Sequence, residues 1–439
     1  MNLLFYNIGI GLYYLAARFA SFFNDKAKKF CDGRKDLLHK IETETGRLRG
    51  KDANRPSDDI IWFHCSSVGE FEQARPLIEW FRAERKEYKI LLTFFSPSGY
   101  ELRKNYELAD WVFYLPMDLP HNVKTFLDIV RPKAAIFIKY EFWYNYLRIL
   151  KKRNIDTYIA SAIFRPSQIF FKWYGRFFVK ALGTYKKIFV QDDASAELLG
   201  GLGYKDNVIV SGDTRFDRVA KITSSSGDFP FIKSFAGKGF TIVAGSTWQP
   251  DEEILAKVIK NFSSVKIVVV PHEISSERIA AIDMTFKDYK VIHFSSFSEK
   301  DEDSGYSGED VLEKALKKAG EADVMVIDCL GLLSSIYKYG NMAYVGGGFG
   351  AGIHNILEAA AYGIPVVFGP KYSKFKEARD MIDLGAALSI SGYRDLYDII
   401  DRFLKENIYR TVEKKGAIAG KYVSDNMGAT YRITSNLDL

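Results

Sequence analysis

Two glutamates follow short apolar runs: Glu70 comes after Ile60-Ile61-Trp62-Phe63-His64 and the loop Cys65-Ser66-Ser67-Val68-Gly69, and Glu141 after Ala134-Ala135-Ile136-Phe137-Ile138 and Lys139-Tyr140. A carboxylate just beyond the carboxyl end of a strand can take a proton from a substrate hydroxyl, and two such strands in one sheet can bring both groups to one cleft. Glu70 falls at the start of a helical stretch, where the positive helix end is expected to keep it ionised, as a base must be. Read alone, it fits equally well a carboxylate that serves only that helix end.

A second constellation runs from Met342 to Pro370, MAYVGGGFGAGIHNILEAAAYGIPVVFGP. A short strand leads into a loop with Gly346, Gly347, Gly348, Gly350 and Gly352. A helix is expected from His354 or Asn355, with Ile356, Leu357, Ala360 and Ala361 on its apolar face and its amino end a seat for phosphate. Glu358, one turn inside, is placed to accept hydrogen bonds from ribose hydroxyls. Gly346-x-Gly348-x-x-Ala351 also fits a loose dinucleotide pattern, yet the next strand ends Phe368-Gly369-Pro370 without the acid such a site uses. A purely structural glycine turn is the third reading; a sugar-nucleotide site suits the unit best. Ser246 and Thr247, after the strand Thr241–Ala244, offer further donors to a phosphate. Asp301-Glu302-Asp303 could hold a nucleotide's metal, but its acidic, Ser/Gly-rich surroundings read as a solvated loop.

These groups need sheets to position them. Besides those runs, strands are expected at Lys89–Phe95, Trp111–Tyr114, Thr157–Ser161, Lys187–Gln191 and Val208–Ser211, then at Lys266–Val270, Val291–Phe294, Val324–Ile327 and Val366–Phe368. Helical stretches lie between many of them. This alternation predicts an α/β protein with parallel sheets clad by helices. The chain of 439 residues suits two domains, and the loop-like Phe229–Gly239 divides them into residues 25–228 and 229–439. A net charge of +6 is compatible with anionic substrates or an anionic membrane surface and too small to argue nucleic acid. Cys31, Cys65 and Cys329 are too few and too far apart for a disulfide framework or a zinc site, which suits a reducing compartment.

Residues 2–23, NLLFYNIGIGLYYLAARFASFF, are the most hydrophobic run. They approach the ~20 apolar residues that span a bilayer, and Lys26, Lys28, Lys29, Arg34 and Lys35 follow. Residues 1–24 therefore read as a membrane anchor, spanning or interfacial, with the basic flank cytoplasmic. Asp32 to Pro56 reads as a polar helix and linker.

Several motifs together resemble the 3-deoxy-D-manno-octulosonic acid (Kdo) transferases of lipopolysaccharide assembly: Ser67-Val68-Gly69-Glu70, Tyr140-Glu141-Phe142-Trp143, Gly212-Asp213-Thr214-Arg215-Phe216-Asp217, Ala244-Gly245-Ser246-Thr247, Pro271-His272-Glu273 and His354-Asn355-Ile356-Leu357-Glu358. The resemblance covers nearly the whole chain in the family's order. It implies a GT-B fold, two Rossmann-like domains facing a cleft, with the last helix crossing back to the first domain. It implies transfer of Kdo from CMP-Kdo to a lipid A precursor, with inversion, at the cytoplasmic face of the bacterial inner membrane, with no metal or cofactor. By position Glu70 is then the base, Glu141 and Arg215 the pair that stabilises the transition state, and Pro271, His272, Leu330, Gly331, Leu332 and Asn355 to Glu358 the CMP pocket, beside Ser246, Thr247, Gly347 and Gly348.

The sequence departs from the family at Arg215, often lysine, at Leu332, often glutamate, and at Ser161-Ala162-Ile163, where Asn-Ala-Arg is familiar and Arg165 is a substitute close by. Two other functions share parts of the pattern. One is a sugar-nucleotide epimerase of the same architecture, which leaves the apolar amino terminus unexplained. The other is a non-catalytic lipid- or nucleotide-binding protein.

Overall fold

Fourteen apolar runs form two seven-stranded sheets in which every described pairing is parallel. The computed structural model describes residues 3–46, 60–237, 239–297, 308–405 and 408–439; the Asp301-Glu302-Asp303 segment lies outside them. The chain divides into two compact units, Met1–Arg218 with Met427–Leu439, and Val219–Asn426. The division expected at 228/229 differs from this break, which falls within the helix Thr214–Ser225.

In the first unit the strands are β1 (Ile60–Cys65), β2 (Lys89–Phe94), β3 (Trp111–Tyr114), β4 (Ala134–Ile138), β5 (Asp156–Ala162), β6 (Lys187–Val190) and β7 (Val208–Val210). Their order is β3-β2-β1-β4-β5-β6-β7. Every residue of β1 and β4 is buried, because helices cover both faces. Trp62, Phe126, Phe137 and Tyr146 fill one side of the sheet, and Phe63, Phe71, Phe81 and Phe94 the other.

In the second unit they are β8 (Phe240–Thr247), β9 (Val265–Pro271), β10 (Val291–His293), β11 (Val324–Val326), β12 (Met342–Val345), β13 (Val366–Phe368) and β14 (Ala387–Ser389), in the order β10-β11-β9-β8-β12-β13-β14. Only β14 has no counterpart among the expected strands; Ala-Leu-Ser is too short and too mixed to show a period. Strand order reverses between β1 and β4 in one sheet and between β8 and β12 in the other. Such switch points open crevices beyond the carboxyl ends of the strands.

The amino-terminal run is a helix, Leu3–Ala20, with no fully buried residue. It is nevertheless docked on the first unit. The Tyr6 hydroxyl donates to Asp118 (2.6 Å) and accepts from the Tyr144 amide (3.3 Å), and Asn145 Nδ2 donates to Asn7 Oδ1 (2.8 Å). Tyr13 packs against Phe30 and Phe95. Leu4, Phe5, Leu12, Leu15 and Phe19 remain exposed. The helix expected within Asp32–Pro56 is present as Leu37–Thr45, though not wholly polar, and residues 47–56 lie outside the described residues. Helices Asp25–Asp32 and Leu37–Thr45 bury Phe30, Cys31, Leu37 and Ile41. Arg34 leaves the basic flank altogether: it is buried, donates to the main-chain oxygens of Phe30, Phe95 and Leu115, and lies 3.8 Å over the Phe30 ring.

Candidate functional site

Glu70 and Glu141 follow the two strands that flank the switch point of the first sheet. The helix Val68–Glu84 starts after Ser67, so Glu70 is its third residue. Its carboxylate turns back to accept from the Ser66 amide, as acids at this position do. Both glutamates are buried. Burial, and next the charge of Glu141, push Glu70 up to about 8; the Ser66 amide, Lys139 and the Ser67 amide act in the opposite direction. This corrects the expectation of an ionised Glu70, because desolvation beside a second carboxylate outweighs the helix end.

Glu141 is reached through Lys139, whose φ of 65° turns the chain out of β4. Its carboxylate meets His64 Nε2 at 3.0 Å and accepts from the Trp143 indole N–H, while its carbonyl accepts from the Tyr185 hydroxyl (2.6 Å). His64 is fully buried, with Nδ1 2.9 Å from the Thr93 hydroxyl, which accepts from the Trp62 indole N–H (2.8 Å). His64 therefore fixes one lobe of Glu141. Sequence reasoning missed it, since within IIWFH a histidine reads as one more core side chain; its place at a strand's carboxyl end was the available signal.

Arg215 is the second residue of the helix Thr214–Ser225 and is oriented by Asp213, which accepts from its amide and Nε (2.9 Å each) and its terminal nitrogen (2.8 Å). Gln73 Nε2 donates to both Asp213 oxygens at 3.1 Å. Burial works against the ionised Asp213, but the charge and bonds of Arg215, with Gln73, hold its carboxyl below the usual range. The Thr214 hydroxyl donates to the Gln73 carbonyl (2.6 Å) and lies 3.2 Å from Ser161 Oγ, which ties this turn to β5. The Tyr140 hydroxyl, raised chiefly by burial, feels Arg165, Glu70 and Arg215 together, so these groups share one edge of the sheet. Such an edge holds a candidate base, a second carboxylate and positive charge.

In the second unit β8 and β12 bring Ser246 and Thr247, at the end of β8, beside the glycine loop. Ser246 has φ 53°. The Thr247 hydroxyl donates to buried Glu252 (2.7 Å), so that side chain is committed within the protein. Asp251, fully buried and not anticipated, accepts from the Trp248 amide (2.9 Å), the Gly347 amide (3.0 Å) and the Tyr344 hydroxyl (2.8 Å). Its signal was an acid at the third position of the helix Gln249–Ile259. Glycine at 348 is required by close packing, since a Cβ there would stand 2.6 Å from the Gly369 Cα. The amides of Gly346, Gly350, Gly352 and His354 also donate within the protein.

The expected helix from His354 is only Leu357–Ala360, too short for the phosphate seat read into its amino end. Ile356 and Leu357 are core side chains, and the Leu357 amide already donates to Asn355 Oδ1 (3.2 Å). Asn355 Nδ2 donates to Glu358 (2.9 Å) and so holds that carboxylate. Pro271 ends β9. His272 stacks on His354 at 4.2 Å, and the Trp248 indole N–H donates to His354 Nε2 (3.3 Å). Burial and His272 push His354 down to about 4, which suits a neutral ring accepting that bond. Leu330 is exposed, Gly331 has φ 89°, and Leu332 precedes the helix Leu333–Ile336.

Comparison with known proteins agrees with the family resemblance. A model of the 3-deoxy-D-manno-octulosonic-acid transferase (kdotransferase) family matches residues 39–218. The chain is 28% identical over 396 residues to 3-deoxy-D-manno-octulosonic acid transferase of Aquifex aeolicus, covering 86% of this chain and 95% of that one. It is 26% identical over 401 residues to the protein of that name from Haemophilus influenzae, covering 87% of each. Among solved structures, UDP-GlcNAc 2-epimerase from Neisseria meningitidis superposes with a TM-score of 0.56 at 13% identity, over 86% of this chain and 98% of that one. MurG of Acinetobacter baumannii does so with 0.51 at 10% identity, over the same shares. These likenesses show the fold: Rossmann-like units of the GT-B type.

Proposed function

This chain belongs to the Kdo transferase family and is a glycosyltransferase, and from that premise we propose that it moves Kdo from CMP-Kdo to a lipid A precursor, inverting the anomeric carbon. The observation that carries the reading is the pair of buried carboxylates, Glu70 and Glu141, just beyond the two strands that flank the first sheet's switch point. The acceptor hydroxyl oxygen forms a bond to the anomeric carbon, its proton passes to ionised Glu70, and the bond to CMP breaks with its electron pair on a phosphate oxygen. Glu141 orders the positive groups at this edge, and Arg215, fixed by Asp213, supports the departing charge. Ser246, Thr247, Pro271, His272, Leu330, Gly331, Leu332, Gly347, Gly348 and Asn355 to Glu358 hold the donor, with main-chain groups acting where the side chains are buried or committed. Purified protein, CMP-Kdo and a lipid A precursor should yield CMP and a glycolipid heavier by Kdo. CMP release with free Kdo alone, or no turnover, would contradict transfer, and an epimerised sugar nucleotide would favour the epimerase.

Glu358→Ala should weaken CMP binding by ~1.5–3 kcal/mol through lost charge-assisted bonds to the ribose. Titration calorimetry on the folded variant checks this; unchanged affinity removes Glu358 from the nucleotide site.

We place the protein at the cytoplasmic face of the bacterial inner membrane, with the Leu3–Ala20 helix lying in the interface. Its bonds through Tyr6 and Asn7 to Asp118, Tyr144 and Asn145 support a helix that stays with the domain and offers its outer side to lipid. Deleting residues 1–24 would strip Asp118 of the Tyr6 donor, so the cleaner experiment alters the outer side alone. Replacing Leu4, Phe5, Leu12 and Leu15 with Ser should weaken vesicle binding by about 100-fold or more and leave the melting temperature unchanged. Equal vesicle affinity would refute the placement.

A further inference from the structure

From Thr157 to Gln191 the chain has no acidic residue, while Arg165, Lys172, Arg176, Lys180, Lys186 and Lys187 are basic. Lys186 and Lys187 pair with acids elsewhere. Lys172, Arg176 and Lys180 are exposed and make no ion pair among the described residues. Just before Lys172 the chain turns through Ile169–Phe171, and it then enters the helix Arg176–Leu182. Phe170 anchors the turn by packing on Phe142 (4.6 Å) and Phe164 (5.9 Å). The turn is tight: a Cβ on Gly175 would stand 1.8 Å from the Ile169 carbonyl oxygen. With Phe170 held inside, Trp173 stands out 90% exposed and Tyr174 54%.

A held turn that presents tryptophan and tyrosine among unpaired cations has the composition of a membrane–water interface. The cations suit anionic headgroups at such a surface. The patch is also continuous with the amino-terminal helix: Phe177 stacks on Tyr144 at 4.0 Å and packs against Tyr6 at 6.2 Å. It lies at the sheet edge that carries the carboxylates, since β5 runs directly into it and Phe142 adjoins Glu141.

We propose that residues 169–176 form a second bilayer-contacting element, with Trp173 seated among anionic lipid headgroups beside the Leu3–Ala20 helix. The proposal deepens the reading that the acceptor is membrane-borne: bilayer contact at this edge delivers a lipid-linked hydroxyl next to Glu70 without the lipid leaving its leaflet.

Trp173 is the one tryptophan of six that is exposed, and the difference in emission between the full chain and Trp173→Phe reports its surroundings. Vesicles of phosphatidylcholine with phosphatidylglycerol, carrying brominated acyl chains and no glycolipid, should quench the full chain clearly more than Trp173→Phe. In sedimentation with unbrominated vesicles of the same headgroups, Trp173→Ser should bind about tenfold more weakly. Lys172→Gln with Arg176→Gln should weaken binding by roughly 25-fold, with little effect on vesicles of phosphatidylcholine alone. Because these vesicles contain no acceptor, the result stands whether or not the transferase reading holds. Transfer to a detergent-dispersed acceptor should be unchanged in Trp173→Ser. Equal quenching with and without Trp173, unchanged vesicle affinity in the variants, or a loss confined to detergent-phase transfer would each overturn the proposal.

Discussion

Glu70→Gln lowers single-turnover transfer by about 10²–10⁴-fold at saturating CMP-Kdo, the usual worth of a positioned general base, and leaves CMP affinity nearly unchanged. The amide keeps the size of the side chain and, through its oxygen, the bond from the Ser66 amide, but it cannot take a proton. The wild type should also show a characteristic pH profile. Burial and Glu141 raise Glu70 to about 8, so the base is protonated and inactive below that pH and becomes active as pH rises through it. The rate constant kcat/KM should therefore climb with pH up to about 8 and then level, and Glu70→Gln should erase that limb. Glu141→Gln behaves differently, since it alters a carboxylate held by His64 and Trp143 and disturbs donor binding as well as rate. Near-normal transfer by Glu70→Gln would remove Glu70 from the role of base and direct attention to Glu141.

Asp251→Ala should destabilise the second unit by about 3 kcal/mol or more, because three donors converge on that carboxylate and each buried unmet donor costs about 1–3 kcal/mol. With the Trp248 and Gly347 amides released, the glycine loop loses its tether to the helix Gln249–Ile259 and CMP affinity falls with it. Asp251→Asn should recover much of both. Its amide oxygen can turn toward the two main-chain N–H groups, with its NH₂ directed at the Tyr344 oxygen. Urea denaturation and CMP titration of the three proteins measure the effect. Wild-type stability in Asp251→Ala would mean that the loop holds itself without the carboxylate.

The sheets were legible because helix-covered parallel strands are continuous apolar runs, as in Ile60–Cys65 and Ala134–Ile138. The carboxylates at their ends were legible for the same reason: a polar residue just past such a run stands out. The partners of those carboxylates were hidden by distance along the chain. His64 and Glu141 meet only because β1 pairs with β4, and Asp251 reaches Gly347 only because β8 pairs with β12. Burial was equally invisible, so Glu70 was expected to be ionised by its helix position when its surroundings favour the proton. The glycine stretch showed how composition misleads. At least one of its glycines makes room for the protein's own backbone, and the helix after it is a single turn.

The return of Met427–Leu439 to the first unit has a consequence for the order in which the molecule is assembled. Asp217 accepts from the Gly428 and Thr430 amides and the Thr430 hydroxyl, Lys187 binds the Asn436 carbonyl (2.6 Å), and Ile433 is fully buried in the first unit's core. The first unit is thus discontinuous in sequence, whereas the second is one uninterrupted stretch. As the chain leaves the ribosome, Val219–Asn426 can complete its contacts once its last residue emerges. The earlier-made portion must wait for residues 427–439, so the half made first finishes folding last, and until then its open seam is a natural place for chaperones to bind.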